Sequence, residues 1–399
     1  MALRRKLDDD IVRVSHILDR VTPPTDVLLL CWRDTGHPQG GGSERYLERV
    51  GAELARRGSR VTLLTAAYPD APRHQAVDGV RVFRAGGRLT VYLRAAATLA
   101  AARVGRGRLA GYRPDVVVDT QNGVPFFARL LVDAPTVVLV HHCHREQWPV
   151  AGPVLSRIGW WVESRVSPRV HRRSRYVTVS APSAAELVDL GVDAERITVI
   201  RNGVDPVPAG VGEPPGHDGL RLIAVSRLVP HKQIEHALRV VAELGGRDVD
   251  VHLDVVGGGW WDDELREAAR HLGIDDRATF HGHVDEERKH GLLAGADLHL
   301  MPSRKEGWGL AVIEAAQHGV PTVGYRGSAG LTDSIVDGET GVLVDDLDGL
   351  TEAVAALAAD PERLAMLGEA ARERSADYSW ASTADGFAEL FDELSGRRR

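Results

Sequence analysis

Short apolar runs alternate with amphipathic segments along most of the chain. Residues 26–31 and 60–65 have the pattern of buried strands, and 43–57 between them has the apolar spacing of a helix, with Ser43 as its predicted N-cap. A strand, a helix and a parallel strand in this order form a βαβ unit. Further strands of the first half are predicted at 80–83, 116–118, 136–140, 175–179 and 197–200. The alternation predicts a doubly wound parallel sheet.

A second series of strands begins after a linker rich in proline and glycine, which runs from Val204 to Gly216. Helical stretches separate most of the strands that follow, which are predicted at 220–225, 251–256, 278–281, 297–301, 321–325 and 341–344. We therefore expect an α/β protein of two Rossmann-like domains, residues 1–203 and 204–379, that face each other across a cleft. Residues 1–22 form a further amphipathic helical segment, to which the sequence assigns no function.

The composition is typical of a soluble globular protein. Hydrophobic residues occupy 43% of the 399 positions and charged residues 26%. No apolar run reaches the length of about 18 residues that a membrane-spanning helix needs, and the basic N-terminus lacks the apolar core of a secretion signal. Two cysteines, Cys31 and Cys143, are too few for a disulfide framework. We expect a cytoplasmic protein.

Charge is distributed unevenly between the two halves. Residues 1–200 contain 29 basic and 20 acidic side chains, a balance of +9, whereas residues 201–399 contain 20 and 36, a balance of -16. Such a basic first half attracts anionic membranes or phosphorylated acceptors; the alternative is a solvated, arginine-rich surface. Nucleic acid is not expected, because no nucleic-acid-binding motif accompanies the charge. The arginines form two clusters: Arg88, Arg94, Arg103, Arg106, Arg108 and Arg113, then Arg165, Arg169, Arg172, Arg173 and Arg175.

Two carboxylates lie eight positions apart after the predicted strand at 297–301. Glu306 falls in a strand-to-helix loop, and Glu314 follows a Gly-x-Gly turn and lies about one turn into the next helix. Two acids at a phosphate-binding corner would repel a bare phosphate, but they suit hydroxyl groups such as those of a sugar and a ribose. The alternative is a surface loop acid beside a helix-face acid.

Two cations follow the first strand of the second domain. Arg227 and Lys232 lie five positions apart across a proline turn, where they can neutralise a diphosphate leaving group, or they are simply surface charges. Gly40, Gly41 and Gly42 precede a helix and leave backbone amides to approach a phosphate, or they form a flexible loop.

Histidines 141, 142 and 144, together with Cys143, are residue types that commonly bind metal ions. Adjacent residues of an extended segment point to opposite sides, so they do not easily share one tetrahedral ion, and we expect no metal. Tryptophans 148, 160 and 161 follow. They either form a core aromatic cluster, which we favour, or line the acceptor side, or touch a membrane.

Taken together, the segments around Glu306, Arg227 and Gly40 resemble the family 4 retaining glycosyltransferases, which have the GT-B fold. The resemblance covers about Asp26 to Leu394, and its Glu-x7-Glu signature corresponds to Glu306 and Glu314. It implies that the helix following Tyr378-Ser379-Trp380 crosses back, so that residues 380–399 return to the first, acceptor-binding domain. The second domain, 204–379, is then the nucleotide-sugar donor domain.

The resemblance also implies roles for individual residues. Glu306 and the amides of Gly307 and Trp308 hold the donor sugar, and Glu314 holds the ribose; Trp308 stands where the family usually has Phe. His141 faces the sugar, with adjacent His142 as the alternative, and Arg227 and Lys232 contact the diphosphate. Gln233 replaces a usual glycine after the lysine. The remaining donor-binding residues implied are Gly40, Gly41, Gly42, Gly257, Val284, Gly309 and Leu310.

The implied activity is retaining, metal-independent transfer of a hexosyl group from a nucleotide-diphosphate sugar to a hydroxyl acceptor, by same-face attack and without a cofactor. A GT-B-like epimerase or phosphorylase and a non-catalytic nucleotide-sugar-binding protein remain alternatives. A dinucleotide dehydrogenase would need a glycine fingerprint that is missing. The basic first half favours an anionic or lipid-linked acceptor and peripheral contact with the inner membrane face.

Overall fold

The computed structural model describes residues 25–145, 148, 152–212 and 216–396. The helical segment predicted at 1–22 therefore lies outside the described residues, as do Pro214 and Pro215 of the predicted linker and the last three residues of the tail. Within the described ranges, no helix combines the length and the apolarity that crossing a bilayer requires.

The first sheet has eight strands in the order β3-β4-β2-β1-β5-β6-β7-β8. All neighbours pair in parallel except β3 and β4, which form an antiparallel edge. Its central strands are buried on both faces, as parallel sheets covered by helices require. The strands are β1 Asp26–Leu30, β2 Arg60–Thr65, β3 His74–Val77, β4 Val80–Arg84, β5 Val116–Thr120, β6 Thr136–Val140, β7 Arg175–Thr178 and β8 Ile197–Val199.

The second sheet has six strands in the order β11-β10-β9-β12-β13-β14, and all its neighbours are parallel. The two sheets confirm the predicted fold class of two parallel α/β domains. The strands are β9 Leu220–Val225, β10 Val251–Val256, β11 Ala278–Gly282, β12 Leu298–Met301, β13 Thr322–Tyr325 and β14 Gly341–Val344.

Helices cover both sheets. In the first domain they are α1 Gly42–Arg56, α2 Val91–Arg103, α3 Pro153–Trp161, α4 Ser167–Val170 and α5 Ala181–Asp189; a π-helical turn, Val162–Val166, joins α3 to α4. In the second they are α6 Ile234–Gly246, α7 Asp262–Leu272, α8 Glu286–Ala294, α9 Leu310–Ala316, α10 Leu331–Ser334, α11 Leu347–Ala358 and α12 Pro361–Ser375, followed by α13 Trp380–Leu394.

The N-cap of helix α1 lies two residues earlier than predicted. Gly41, not Ser43, is the N-cap, because the side chain of Glu44 at the third helical position accepts a 2.8 Å hydrogen bond from the Gly41 amide. The helix buries Tyr46, Leu47, Val50 and Leu54 against the first sheet. This apolar spacing is what fixes the helix on the strand edge that bears the site.

Helix α13 returns to the first domain, as predicted, and packs against α1. The side chain of Ser379 caps it by accepting from the amide of Ser382, and Trp380 and Phe387 are buried on its inner face. One hydrophobic cluster joins Val27 of β1 and Phe387 of α13 to Trp308 beside the second sheet. The two domains therefore share part of their interior.

Candidate active site

The chemically active side chains follow the carboxyl ends of parallel strands, where open α/β sheets bind ligands. His141 follows β6 of the first sheet, Arg227 follows β9 of the second, and Glu306 follows β12. Because these ends of the two sheets face each other, residues far apart in sequence meet in one cleft.

Glu306 and Lys232 are in direct contact across two loops of the second domain. The Lys232 ammonium donates to Oε1 of Glu306, and both side chains are largely buried. Burial alone would raise the pKa of Glu306, but the charge and hydrogen bond of Lys232, with Ser303, outweigh it and lower the pKa. Glu306 is therefore held as a carboxylate, and the predicted sugar-holding acid and diphosphate-holding cation lie side by side.

The Glu306 loop is fixed by the loop that follows β13. The Glu306 amide donates to the carbonyl of Ser328 at 3.0 Å, and the Gly330 amide donates to the carbonyl of Glu306 at 3.3 Å. A Cβ atom on Gly330 would lie 2.5 Å from the carbonyl carbon of Gly307. Glycine is thus required at 330 for the two loops to approach this closely.

Gly307 is the point at which this loop meets the first domain. A Cβ atom there would lie 2.9 Å from the carbonyl oxygen of His141 and 3.4 Å from Nδ1 of His142. The structure therefore brings the predicted histidines and the Glu306 loop together across the cleft. Lys305 reinforces the contact through an ion pair with Glu186 of α5, whose other carboxylate oxygen accepts from the Cys143 amide at 3.2 Å.

His141 is 6% exposed and packs edge-to-face on Tyr46, with 5.1 Å between ring centroids. Desolvation lowers its pKa to about 4, so the ring is neutral near pH 7. Its Nε2 atom is buried and has no hydrogen-bond partner among the described residues. A neutral imidazole with an unsatisfied nitrogen is suited to bind a hydroxyl group.

Arg227 lies on a loop that glycines hold in place. Cβ atoms on Gly257 and Gly259 would lie 1.9 and 2.0 Å from the carbonyl oxygens of Ser226 and Leu228, so only glycine allows the two backbones to touch. Although the Arg227 side chain is exposed, the cleft walls remove part of its water and, with the nearby Arg33 charge, lower its pKa. Within the described ranges Arg227 has no ion pair, which leaves its guanidinium for a ligand.

Gln233, which stands where the family usually has glycine, adopts the glycine-like conformation. Its φ and ψ of 50° and 41° are left-handed, and it joins the short 3₁₀ turn of Pro230–Lys232 to α6. The turn that carries Lys232 is therefore kept, at a conformational cost that a glycine would not have.

The glycine loop at 40–42 is organised by a residue that the sequence analysis missed, Glu44. The Gly40 amide donates to the carbonyl of His37 at 2.7 Å, and the Gly41 amide donates to Glu44. Both amides were expected to be free to approach a phosphate, and in the structure both are already hydrogen-bonded. Gly42 occupies the first helical position of α1. The buried Glu44 carboxylate also contacts Arg33 at 2.9 Å.

Glu314 lies in an ion-pair network that joins the domains. Lys289 of α8 contacts its Oε1 atom at 2.8 Å and Arg45 of α1 contacts the same atom at 3.5 Å. Arg45 also reaches Glu286 at 2.7 Å. Burial opposes ionisation of Glu286, but Arg45 and Lys289 outweigh it and lower its pKa to about 2. Glu314, the side chain predicted to bind the ribose, is therefore held between two cations, Lys289 and Arg45. No sequence motif pointed to Arg45.

The remaining predicted donor-binding residues line the same edge with backbone or partly buried side chains. Trp308 is 1% exposed, and its ring packs on Tyr378 in the shared core, so only its backbone is placed to meet a ligand. Gly309 has a φ of 92° and caps α9, where partly buried Leu310 begins. Val284 follows β11 and is partly buried beside the second sheet.

A buried acid, Glu163, fixes the segment that follows His141. It lies in the π-helical turn and accepts from the His144 amide at 2.9 Å and from Nε1 of Trp148 at 2.6 Å. The Trp148 ring fills the space beside Gly123 and Gly159, where Cβ atoms would lie 2.8 and 2.3 Å from it. Glu146 and Gln147 of this segment lie outside the described residues.

Two further predictions concern this region. The core assignment was wrong for Trp161, which is 59% exposed, whereas Trp148 is packed as described above. Among the described residues, no group of three or more His, Cys, Asp or Glu side chains is placed to hold a metal ion.

Comparison with known proteins extends these observations. Residues 40–207 match the family model for glycosyltransferase family 4, and residues 213–374 match that for glycosyl transferases group 1. A GDP-mannose-dependent alpha-(1-6)-phosphatidylinositol monomannoside mannosyltransferase of Mycolicibacterium smegmatis is 34% identical over 66% of this chain and 71% of its own length. A glycogen synthase of Mycobacterium tuberculosis is 29% identical over 88% of this chain and 91% of its own.

The same architecture occurs in solved structures. A sucrose-phosphate synthase of Thermosynechococcus elongatus superimposes with a TM-score of 0.78 at 20% identity, covering 94% of this chain and all of that one. At this identity the likeness concerns the fold alone.

Proposed function

The chain belongs to glycosyltransferase family 4, and from that premise we propose that it transfers a hexosyl group from a nucleotide-diphosphate sugar to a hydroxyl acceptor, with retention of configuration and without a metal ion. The observation that carries the proposal is the contact of Lys232 with Glu306, beside Arg227 and opposite His141, in one cleft.

The chemistry of the site and the names of the relatives support this class of donor. Glu306, with the loop amides of 307–309, would hold sugar hydroxyls, and Glu314 would hold the ribose. The two relatives are named for mannosyl transfer and for glycogen synthesis, so both names concern hexoses. A hexosyl donor is therefore the first class to test, with GDP-mannose among the candidates.

Arg227 and Lys232 would stabilise the diphosphate as it departs. Charge that develops on a leaving phosphate is stabilised by preorganised cations, typically by several kcal/mol. With two cations at this corner, a metal ion is not needed for that task.

Retention would arise from attack on the face that the diphosphate leaves. The bond from the anomeric carbon to the phosphate oxygen breaks, the bond to the acceptor oxygen forms on the same face, and the acceptor proton passes to the phosphate. Glu306 is held by Lys232, so in this scheme it binds hydroxyls and need not form a covalent bond with the sugar.

For the acceptor, we propose an anionic, lipid-linked hydroxyl compound bound on the first domain. The positive balance of residues 1–200 and the lipid acceptor in the name of the mycobacterial relative support this class. The acceptor side would be formed by the segment that starts at His141 and is fixed by Glu163.

A panel of nucleotide sugars tests the donor half. The matching donor should raise the melting temperature, because a ligand present at 100 times its Kd stabilises the folded state by about 2.7 kcal/mol. The stabilising donor is then incubated with lipid and sugar acceptors, and NMR of the product reports the anomeric configuration. Transfer should persist in a chelator.

The matched variants are Glu306→Gln in the cleft and Glu339→Gln on the exposed surface. The first should lose transfer while it still unfolds in one cooperative transition, at a melting temperature lowered by the loss of the partner of Lys232. The second should behave as wild type. Inverted product, strict dependence on a divalent ion, or release of a free epimer in place of a glycoside would contradict the proposal.

A further inference from the structure

Helix α3 exposes an apolar ridge on the first domain, and among the described residues nothing covers it. Val154, Leu155, Ile158 and Trp161 are between 53% and 67% exposed. Their spacing of one, three and three positions places them on one helical face. Exposing four neighbouring apolar side chains of one helix face to water is unfavourable, so such a patch usually marks a surface that binds a partner or a membrane.

The surface around this ridge is positively charged. Arg157 lies within the helix, and exposed Arg165 and Arg169 follow in the π turn and in α4, with Arg172 and Arg173 just beyond. Between residues 152 and 175 the only acidic side chain is Glu163, and it is fully buried. The outer face of this segment therefore presents apolar and cationic groups, and among the described residues none of these five arginines forms an ion pair.

The ridge is joined rigidly to the cleft. Gly159 on its inner side receives the Trp148 ring, and Glu163, one helical turn further on, holds both Trp148 and the amide of His144. His144 lies three residues after His141. A body that docks on the ridge is therefore brought next to the segment that faces the donor loop.

We propose that this ridge, defined as Val154, Leu155, Ile158 and Trp161 with the flanking arginines, docks the enzyme on an anionic lipid bilayer. Apolar side chains, an interfacial tryptophan and unopposed arginines match the acyl boundary and the phosphate headgroups of such a surface. The inference rests on the proposed function and deepens it, because docking here would present a lipid-linked acceptor to the His141 segment.

The test is co-sedimentation of the full chain with vesicles of phosphatidylcholine, alone or mixed with an equal share of phosphatidylglycerol. Wild type should bind the mixed vesicles and should release as salt is raised. The triple variant Leu155→Ser, Ile158→Ser, Trp161→Ser should bind at least about tenfold more weakly. Arg157→Gln and Arg165→Gln should each weaken binding about fivefold.

A matched control changes equally exposed apolar side chains on the second domain, Trp260→Ser and Met366→Ser, and should bind as wild type. Donor-induced shifts of melting temperature are measured for every variant and should not change, which separates failure of docking from failure of the proposed function. Wild type that ignores the mixed vesicles, or a triple variant that binds them equally, would overturn the proposal. So would a dimer of wild type that the triple variant abolishes, because a second copy would then cover the ridge.

Discussion

The indole nitrogen of Trp148 donates a 2.6 Å hydrogen bond to Oε2 of Glu163, a carboxylate that is fully buried. The same side chain accepts from the amide of His144. One acid in a π-helical turn thus fixes the backbone and the aromatic ring of the segment that follows His141. π-Helical turns are often found at functional sites.

Glu163→Gln should therefore loosen this segment without removing any group that touches substrate. Loss of charge-assisted hydrogen bonds is expected to lower the free energy of unfolding by about 1–3 kcal/mol. The KM for acceptor should rise while the KM for donor stays near wild type, in steady-state assays that vary each substrate. Glu195→Gln, an exposed change in the same domain, is the control. Equal changes in both KM values would show that Glu163 serves stability alone.

Lys232→Ala should lower kcat by about 10²–10³-fold, because a preorganised cation at the leaving group is lost. It also leaves the Glu306 carboxylate largely buried without its partner, so Glu306→Gln is combined with it in a double-mutant cycle. The combined loss should be smaller than the product of the single losses, since the two side chains act as a unit. Independent effects in single-turnover transfer would argue against a shared role.

Stability should fall in mild acid. Desolvation lowers the pKa of buried His141, His171 and His299 to about 4. In the unfolded chain a histidine has a pKa of about 6.5. Between these values the unfolded chain binds more protons, so the free energy of unfolding drops as pH falls, by about 1.4 kcal/mol per pH unit for each histidine.

Urea unfolding between neutral pH and pH 4 measures this slope. His299→Asn should reduce it by one histidine's share, and above about pH 6.5 these groups should contribute no slope. A pH-independent midpoint across the range would contradict buried neutral imidazoles.

Gln233→Gly should stabilise the protein. A left-handed residue other than glycine costs about 1–2 kcal/mol, and glycine returns about 0.5–1 kcal/mol of this as entropy of the unfolded chain. A net gain of up to about 1 kcal/mol is expected in denaturant titrations, with transfer activity kept. Gln233→Ala retains the unfavourable φ and should show no gain; if it stabilises equally, the effect does not come from the backbone.

Much of the fold could be predicted because buried strands are continuous apolar runs between turn residues. The bounds of β2, β6, β9 and β10 coincide with the prediction for this reason. β3, His74–Val77, was missed: it is largely exposed at the sheet edge and has no apolar alternation. The cap of α1 was misplaced because a glutamate side chain caps the helix from inside it.

The residues of the candidate site also fall into two groups: some belong to local sequence motifs, and others are recognised only from their partners in the fold. Glu306, Arg227 and Lys232 belong to short local motifs that resemble those of a known family, so they could be singled out from the sequence, although their roles remain predictions. Arg45 contacts Glu286, which lies 241 positions away in the sequence, and no local sequence pattern predicts such a pair. The acids that organise the cleft, Glu44 and Glu163, resemble ordinary helix residues until their partners are known.

The hydrophobic cluster that joins Val27, Trp308 and Phe387 has a consequence for engineering. Exchanging the second domain between relatives in order to alter the choice of donor sugar would disrupt this packed hydrophobic cluster. The boundary between the domains is not a solvated surface here. Trp308, strand β1 with Val27, and helix α13 with Phe387 would have to be transferred or redesigned together. Recombination at the linker alone should give chimeras that misfold before their specificity can be measured.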